Sequence, residues 1–372
     1  MERSGSKKDR KKALYFFQYL APWKIDVFRE MSGMYDLTVV LFDIDRDGFT
    51  YDREKLLDRL GDVNVEILRS GFNLSSHQFR CGIGKLLKKY APDVVFVHEY
   101  SQVTVSLLCK RRRHGYRLYI TSSDNLYMAA HIRGFVGKVR KYVLRRCDGA
   151  IFYSKDVESY YKERFPSLKT AVCPNIQDPR SILSYRKDFP EAVSRYVEEF
   201  GLEGKRIIAY TGRLVGVKGL DLLLEAFSRV PHEDYRLLLV GEGELREELE
   251  ARARVLGIGQ DVVFAGFRFG ADLYAVYEMA DFLVLPSRFE PFGAVVNEAL
   301  VLGCPLLASR YIGALDYLDG SNGIIFDPLS EDDFVSSLTH AMERFRSGGT
   351  ARDSLMLKSF EEYVKVYEDI DE

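Results

Sequence analysis

The stretch Phe282-Leu-Val-Leu-Pro-Ser-Arg-Phe-Glu-Pro-Phe-Gly-Ala-Val-Val-Asn-Glu-Ala-Leu300 decides the reading of this chain. Its first part, Phe282–Pro286, is a short, continuous apolar run, the pattern of a strand buried on both faces. A loop follows, and a helical pattern starts near Phe292 or Gly293 and fills Ala294–Val301. Strand, loop and helix in that order form the βα unit of a parallel sheet. Glu290 falls in the loop and Glu298 on the helix. Gly293 lets a ligand approach the backbone, and the free N–H groups of a helix start suit an anion. One carboxylate in the loop and a second a turn or two inward can grip the hydroxyls of a polyol or ribose. The plainer alternative makes Glu290 a helix-dipole acid and Glu298 a solvated helix residue.

Upstream, Tyr210-Thr-Gly-Arg-Leu-Val-Gly-Val-Lys-Gly219 also follows a strand, Arg206–Tyr210. Its glycines, Gly212 among them, loosen the loop, and Arg213 and Lys218 place two cations near the strand end. Arginine suits bidentate phosphate contacts and lysine acts as a point charge. A pyrophosphate between this loop and the Phe292 helix start is then neutralised without a metal. Leu237-Leu-Leu-Val-Gly-Glu-Gly-Glu-Leu245 has half of a dinucleotide fingerprint, but the third glycine is missing. Gly243 therefore also reads as part of a tight βα turn. Phe264-Ala-Gly-Phe267 is a strand end that can offer backbone groups to a nucleobase.

The same rhythm runs through the chain. Further strands are expected at Leu14–Gln18, Leu37–Phe42, Val63–Leu68, Asp93–Val97, Arg117–Thr121 and Gly149–Tyr153, and then at Tyr235–Val240, Val262–Ala265, Pro305–Ala308 and Gly323–Phe326. Helical patterns fall at Ile25–Met31, Tyr142–Arg146, Asp221–Ser228, Glu244–Leu256, Ala271–Met279 and Glu331–Phe345. Cys173–Lys205, with three prolines, reads as a linker region. The expectation is an α/β protein of two doubly wound, Rossmann-like domains facing across a cleft. The first spans 1–175, with a C-terminal helix in 346–372 packing back on it, and the second spans 176–345. Ligands of open α/β sheets bind at the carboxyl ends of the strands, so the active site is expected between the domains.

A chain of 372 residues with 47% apolar and 29% charged residues suits two globular domains and excludes a disordered or fibrous protein. No apolar run approaches the roughly 18–20 residues of a transmembrane helix. The polar, basic Met1–Lys12 has no apolar stretch behind it, unlike a secretory signal. Cys81, Cys109, Cys147, Cys173 and Cys304 lie far apart, which suits a reducing compartment and argues against a zinc site. A cytoplasmic protein is expected. Residues 1–180 carry 33 Lys+Arg against 21 Asp+Glu, whereas the remainder carry 20 against 34. The two halves therefore suit different partners.

These residues together resemble glycosyltransferase family 4, whose members have the GT-B fold. The likeness runs from Gly212 to Lys218, through Val240–Gly243 and Glu290–Glu298, and on through Gly303–Ser309, Ile312–Asp316 and Asn322–Phe326. It implies a retaining, metal-independent transferase that takes a sugar from a nucleotide diphosphate, with no cofactor. Arg213 and Lys218 would bind the donor diphosphate, with Gly212, Gly243 and Phe267 in the donor site. Phe292 and Gly293 would offer backbone amides, Glu290 would meet the donor sugar, and Glu298 would bind the ribose.

The first half resembles the family less. Asp93–Glu99 and Leu118–Asn125 look like the strand ends of the acceptor-side wall. Many members have a histidine where this chain has Ser123, which leaves His98 and Asp124 as the candidate sugar-contacting groups. In place of a glycine-rich acceptor loop stands Tyr19-Leu-Ala-Pro-Trp-Lys24, whose Trp23 can stack on a sugar or simply pack, and whose Lys24 also belongs to the acceptor side. The expected acceptor is a glycan or lipid-linked glycan of a bacterial surface polysaccharide.

The basic runs Lys110–His114 and Arg133–Arg146 alternate cations with Phe135, Val136, Val139, Val143 and Leu144. They fit either the face of a peripheral helix at the inner side of an anionic membrane or an ordinary core-facing helix. No nucleic-acid motif accompanies the charge. Other readings are a GT-B-type sugar-nucleotide epimerase, a non-catalytic sugar-nucleotide or glycan-binding protein and, more remotely, a dinucleotide oxidoreductase.

Overall fold

The computed structural model describes residues 10–43, 53–74, 77–346 and 352–372, so the Met1–Asp9 part of the basic N-terminal segment lies outside the described residues. The chain divides into two compact units: Met1–Gln177 together with Ser359–Glu372, and Asp178–Lys358.

Unit one is built on β1 (Lys12–Phe17), β2 (Asp36–Leu41), β3 (Asn64–Ile67), β4 (Gly71–Leu74), β5 (His77–Arg80), β6 (Val94–His98), β7 (Arg117–Ser122), β8 (Gly149–Phe152) and β9 (Lys169–Val172). Seven of these form one sheet in the order β3-β2-β1-β6-β7-β8-β9, and every pairing in it is parallel. The strands β4 and β5 form a separate antiparallel hairpin. Strands such as β6, with every residue buried, need helices on both faces, which is why they read as unbroken apolar runs.

Unit two contains β10 (Arg206–Thr211), β11 (Tyr235–Val240), β12 (Val262–Gly266), β13 (Phe282–Leu285), β14 (Leu306–Ser309) and β15 (Gly323–Phe326). They form a parallel sheet ordered β12-β11-β10-β13-β14-β15. This is the doubly wound order of dinucleotide-binding folds, in which the chain reverses direction across the sheet after its third strand. The reversal lies between β10 and β13 here, and between β1 and β6 in unit one. At such a switch point the two following loops run to opposite faces and leave a crevice at the strand ends.

Three segments differ from the reading of the sequence. The edge strand β9 is exposed or half-buried along its length, and the β4–β5 hairpin is short, so neither shows an apolar run. The expected linker Cys173–Lys205 contains the helix Phe189–Phe200, with Phe189, Ala192 and Tyr196 buried. That helix belongs to unit two: Arg195 pairs with Asp272 at 2.5 Å, and the Tyr196 hydroxyl donates to the Asp272 carbonyl at 3.2 Å. At the C-terminus, Phe360–Val364 and Val366–Asp369 are short helices that belong to unit one. The Tyr35 hydroxyl donates to the Tyr367 carbonyl at 2.8 Å, and buried Asp371 pairs with Lys11 at 2.7 Å and Arg117 at 2.6 Å.

Candidate functional site

In unit two the loops after β10 and β13 flank the switch point, because those strands are hydrogen-bonded neighbours, with Ile208 opposite Phe282. Arg288 stitches the loops together. Its backbone N–H donates to the Val217 carbonyl at 2.9 Å, its guanidinium donates to the Gly216 carbonyl at 3.0 Å and it pairs with Asp221 at 2.6 Å. The result brings Lys218 and Glu290 into an ion pair, each side chain less than one-fifth exposed. Arg213 is exposed on the same loop, and its side chain makes no hydrogen bond or ion pair among the described residues. One paired and one unpaired cation thus stand at the end of β10.

Glu290 is pinned by its own backbone. Its N–H donates to the Tyr311 carbonyl at 3.1 Å, and its carbonyl accepts from the Gly313 N–H at 3.0 Å. Gly293 has φ +92°, a conformation that a side chain would strain. Phe292 is buried and meets Tyr317 edge-on at 6.0 Å, so only its main chain is available to a ligand. The helix that follows is Val295–Val301. On it, Glu298 accepts a hydrogen bond from the Tyr277 hydroxyl at 3.0 Å, and Tyr277 is also bonded to Thr211 at 2.8 Å. Burial pushes the Tyr277 phenol well above its ordinary pKa, so it stays protonated.

Gly212 closes the end of β10, its N–H donating to the Val240 carbonyl at 2.9 Å. A Cβ on Gly243 would lie 2.2 Å from the Leu214 carbonyl oxygen. This glycine therefore permits the loops after β10 and β11 to touch, which is the tight-turn reading of that segment. Phe267 is 70% exposed just beyond β12 and stacks with exposed Phe269 at 6.2 Å. That leaves a flat aromatic surface facing solvent.

In unit one the corresponding loops follow β1 and β6. Trp23 is half-buried and lies edge-on to Tyr19 at 6.2 Å. Lys24 is fully buried, with Nζ 4.7 Å from the centre of the Tyr153 ring and no hydrogen-bond partner among the described residues. Burial lowers its pKa to about 8. His98 is buried, stacks on Phe17 at 4.5 Å and shares a 3.0 Å hydrogen bond with the Thr121 hydroxyl through Nδ1. Burial, and then the Lys24 cation, push its pKa down to about 3, so its ring is neutral at pH 7.

Asp124 is placed differently from a group open to a sugar. It is buried, and its oxygens accept from Arg140 at 2.5 and 3.2 Å and from the Tyr161 hydroxyl at 3.2 Å. In this structure it anchors the helix Gly134–Leu144 to the end of β7. The reason is that Arg140, read from sequence as one of a run of surface cations, points inward.

Two further residues belong to these sites without having been singled out. Tyr277, from a different helix, positions Glu298, a relation that spacing along the chain cannot show. Glu99 has φ +64°, uncommon for a non-glycine residue and a mark of local strain at a strand end. Its carboxylate accepts from the Ser123 N–H at 2.8 Å and hydroxyl at 2.6 Å, and lies 3.5 Å from His98 Nε2. Among the described residues, no group of three or more His, Cys, Asp or Glu side chains is placed to hold a metal ion.

Part of the chain is similar to a known family of proteins. Residues 194–346 match the family described as Glycosyl transferases group 1. An uncharacterized glycosyltransferase of Methanocaldococcus jannaschii is 34% identical over 132 residues, which are 35% of this chain and 34% of that protein. The lipopolysaccharide 1,2-N-acetylglucosaminetransferase of Salmonella typhimurium is 27% identical over 232 residues, 58% of this chain and 60% of that one. The chain thus spans about a third of the first relative's length and three-fifths of the second's. The crystal structure of Anabaena HepE in complex with UDP has a TM-score of 0.70 at 20% identity, covering 96% of this chain and 94% of that one. Residues 194–346 therefore carry the signature of the group 1 glycosyltransferases, in a chain whose two Rossmann-like units have the α/β fold of solved GT-B glycosyltransferases.

Proposed function

We propose that this protein is a retaining glycosyltransferase of family 4 type. It moves a sugar from a nucleotide diphosphate to a hydroxyl of a glycan or lipid-linked glycan, without a metal ion. The observation that carries the reading is the convergence of Arg213, Lys218 and Glu290 at the switch point of unit two, with Glu298 held by Tyr277 close to the same strand ends. Arg213, unpaired, takes the diphosphate by two parallel hydrogen bonds. Lys218 exchanges part of its pairing with Glu290 for a phosphate oxygen, and Glu290 is thereby released toward the donor sugar. Glu298 accepts from ribose hydroxyls, and Phe267 offers its face to the base. A relative in fold binds UDP, which makes a uridine donor the first to test.

In the reaction, the bond from the anomeric carbon to the leaving phosphate oxygen breaks. The acceptor oxygen bonds to that carbon on the same face, and the leaving phosphate takes the acceptor proton. The protein's task is to stabilise the departing diphosphate and the positive sugar, which Arg213 and Lys218 do for the first and Glu290 for the second. Unit one supplies the acceptor side through Trp23; Lys24, expected there from the sequence, is fully buried against Tyr153 and is not open to an acceptor. Of its two candidates for contact with a sugar, the geometry favours neutral His98, because Asp124 is engaged by Arg140. The expected locale is the cytoplasmic face of a membrane.

Thermal unfolding with UDP, GDP, ADP and their sugars, with and without EDTA, tests the donor site. A ligand at about 100 times its Kd stabilises the fold by roughly 2.7 kcal/mol. An EDTA-insensitive shift with one nucleotide, absent in Arg213→Ala and followed by sugar transfer to an added glycan, supports the reading. A shift that requires a divalent cation, or binding with no transfer to any acceptor, overturns its metal-independent or catalytic part respectively.

A further inference from the structure

At the switch point of unit one, the residues just beyond β1, β6 and β7 are tied to one another. Gln18, after β1, donates from its side-chain amide to the His98 carbonyl at 3.3 Å. Glu99, after β6, has its N–H on the Thr121 carbonyl of β7 at 2.8 Å. Its own carbonyl accepts from the hydroxyl of Thr104, on the helix Gln102–His114, at 2.6 Å. These two bonds hold Glu99 at φ +64°. Backbone strain fixed in this way by its surroundings clusters at ligand-contacting positions.

The Glu99 carboxylate is only half engaged. Oε1 accepts from the Ser123 N–H at 2.8 Å and hydroxyl at 2.6 Å, and lies 3.5 Å from His98 Nε2. Oε2 makes no hydrogen bond or ion pair among the described residues. The Glu99 side chain is 28% exposed, against 8% for that of His98. Asp124, close by in the chain to Ser123, differs: Arg140 and Tyr161 donate to both of its oxygens. A carboxylate oxygen only accepts, so the group that suits Oε2 is a donor. The crevice at these strand ends is where a sheet of this order takes its ligand.

We propose that Glu99 binds the acceptor sugar, with Oε2 accepting a hydrogen bond from an acceptor hydroxyl while Ser123 holds Oε1. The inference rests on the transferase reading and narrows its substrate class. The acceptor presents a hydroxyl or an ammonium at this position, and a carboxylate or phosphate there meets a like charge and is disfavoured. The leaving phosphate still takes the acceptor proton, so Glu99 binds and orients and does not act as a base.

The test turns on Glu99→Gln. Ser123 presents two donors to Oε1, so the amide oxygen takes that place and the NH2 group falls where Oε2 was. Size and anchoring are kept, while a hydrogen-bond acceptor becomes a donor. Transfer is measured from the nucleotide sugar that the donor screen identifies to methyl and octyl glycosides of glucose, galactose, mannose and N-acetylglucosamine. Acceptor kcat/KM should fall roughly 10- to 100-fold, with the urea midpoint and the diphosphate affinity as in the parent. Against one monodeoxy form of the working glycoside the parent should discriminate by a similar factor, and Glu99→Ala should lose that discrimination while keeping it at the other hydroxyls. Transfer by Glu99→Gln at the parent rate assigns the carboxylate to holding Ser123 alone and overturns the inference. Discrimination that survives in Glu99→Ala, or a loss of diphosphate affinity equal to the loss of transfer, also overturns it. Diphosphate binding by the parent with transfer to none of these glycosides is a failure of the transferase reading itself, and the inference falls with it.

Discussion

Lys218 and Glu290, 72 residues apart in the chain, form an ion pair at the point where the strand order of unit two reverses. Each neutralises the other, so on the proposed reading the pair couples the phosphate end of a donor to its sugar end. In the proposed reaction, a diphosphate that draws Lys218 away leaves Glu290 with an uncompensated charge beside the donor sugar as it becomes positive. Changing one member should therefore alter the other's task.

In Glu290→Gln, Lys218 is released and the affinity for the nucleoside diphosphate alone should be kept or increased, while sugar transfer falls by a hundredfold or more. In Lys218→Ala a charge-assisted hydrogen bond of about 1.5–3 kcal/mol is lost, or roughly 10- to 100-fold in nucleotide affinity. Calorimetric titration with the diphosphate, alongside a transfer assay, separates the two. Equal loss of diphosphate binding in both variants would remove the coupling.

Tyr277→Phe should loosen Glu298 while leaving the diphosphate contacts intact. The change removes the hydroxyl that holds Glu298 and leaves the Thr211 hydroxyl without that partner, a cost of about 1–2 kcal/mol in stability. Donor KM is expected to rise with little change in kcat. Competition with a 2′-deoxynucleotide checks the site of the effect: the variant should discriminate against the deoxy form less than the parent does.

The Asp124–Arg140 pair is a matter of structure in this account. Asp124→Ala leaves a guanidinium buried without its partner and should destabilise unit one by about 3–5 kcal/mol. Asp124→Leu combined with Arg140→Met should recover most of that loss, as read from urea midpoints. If Asp124→Ala instead abolishes transfer at unchanged stability, the carboxylate acts on the reaction and the structural assignment is wrong.

Lys24 gives a pH signature. Its pKa is about 8 in the fold against 10.5 as an ordinary lysine, so the unfolded chain binds more protons between those values and stability rises with pH across that window. Below pH 8 the full penalty of a buried charge is present. Lys24→Met should therefore stabilise unit one by roughly 1–3 kcal/mol at pH 7, and the difference from the parent should shrink toward pH 10.5. The variant is expected to keep nucleotide binding, since Lys24 lies outside unit two. Unfolding curves of both proteins at pH 7 and pH 10 check the first claim, and a pH-independent difference would refute it.

How far the chain could be read before its structure depended on where the information lay. Strands such as Phe282–Leu285 and Tyr235–Val240 are buried on both faces, so hydrophobicity alone marks them, and the strand-loop-helix order then implies a parallel sheet. The loops carrying Arg213, Lys218, Glu290 and Gly293 were legible for the same reason, because ligand-binding loops follow strands in this architecture. Residues 169–172 and 71–80 were not, since an edge strand and a polar hairpin bury too little to leave a pattern. Tertiary structure alone decided which charges meet. Arg140 and Arg145 stand in one basic run, yet Arg140 is buried against Asp124 and Arg145, just past the end of the helix, is exposed. The pairing of Lys218 with Glu290, the grip of Tyr277 on Glu298 and the burial of Lys24 against Tyr153 join separate parts of the chain. A local pattern holds hydrophobic period and turn chemistry, whereas the partner of a charge is set by which strand ends the fold brings side by side.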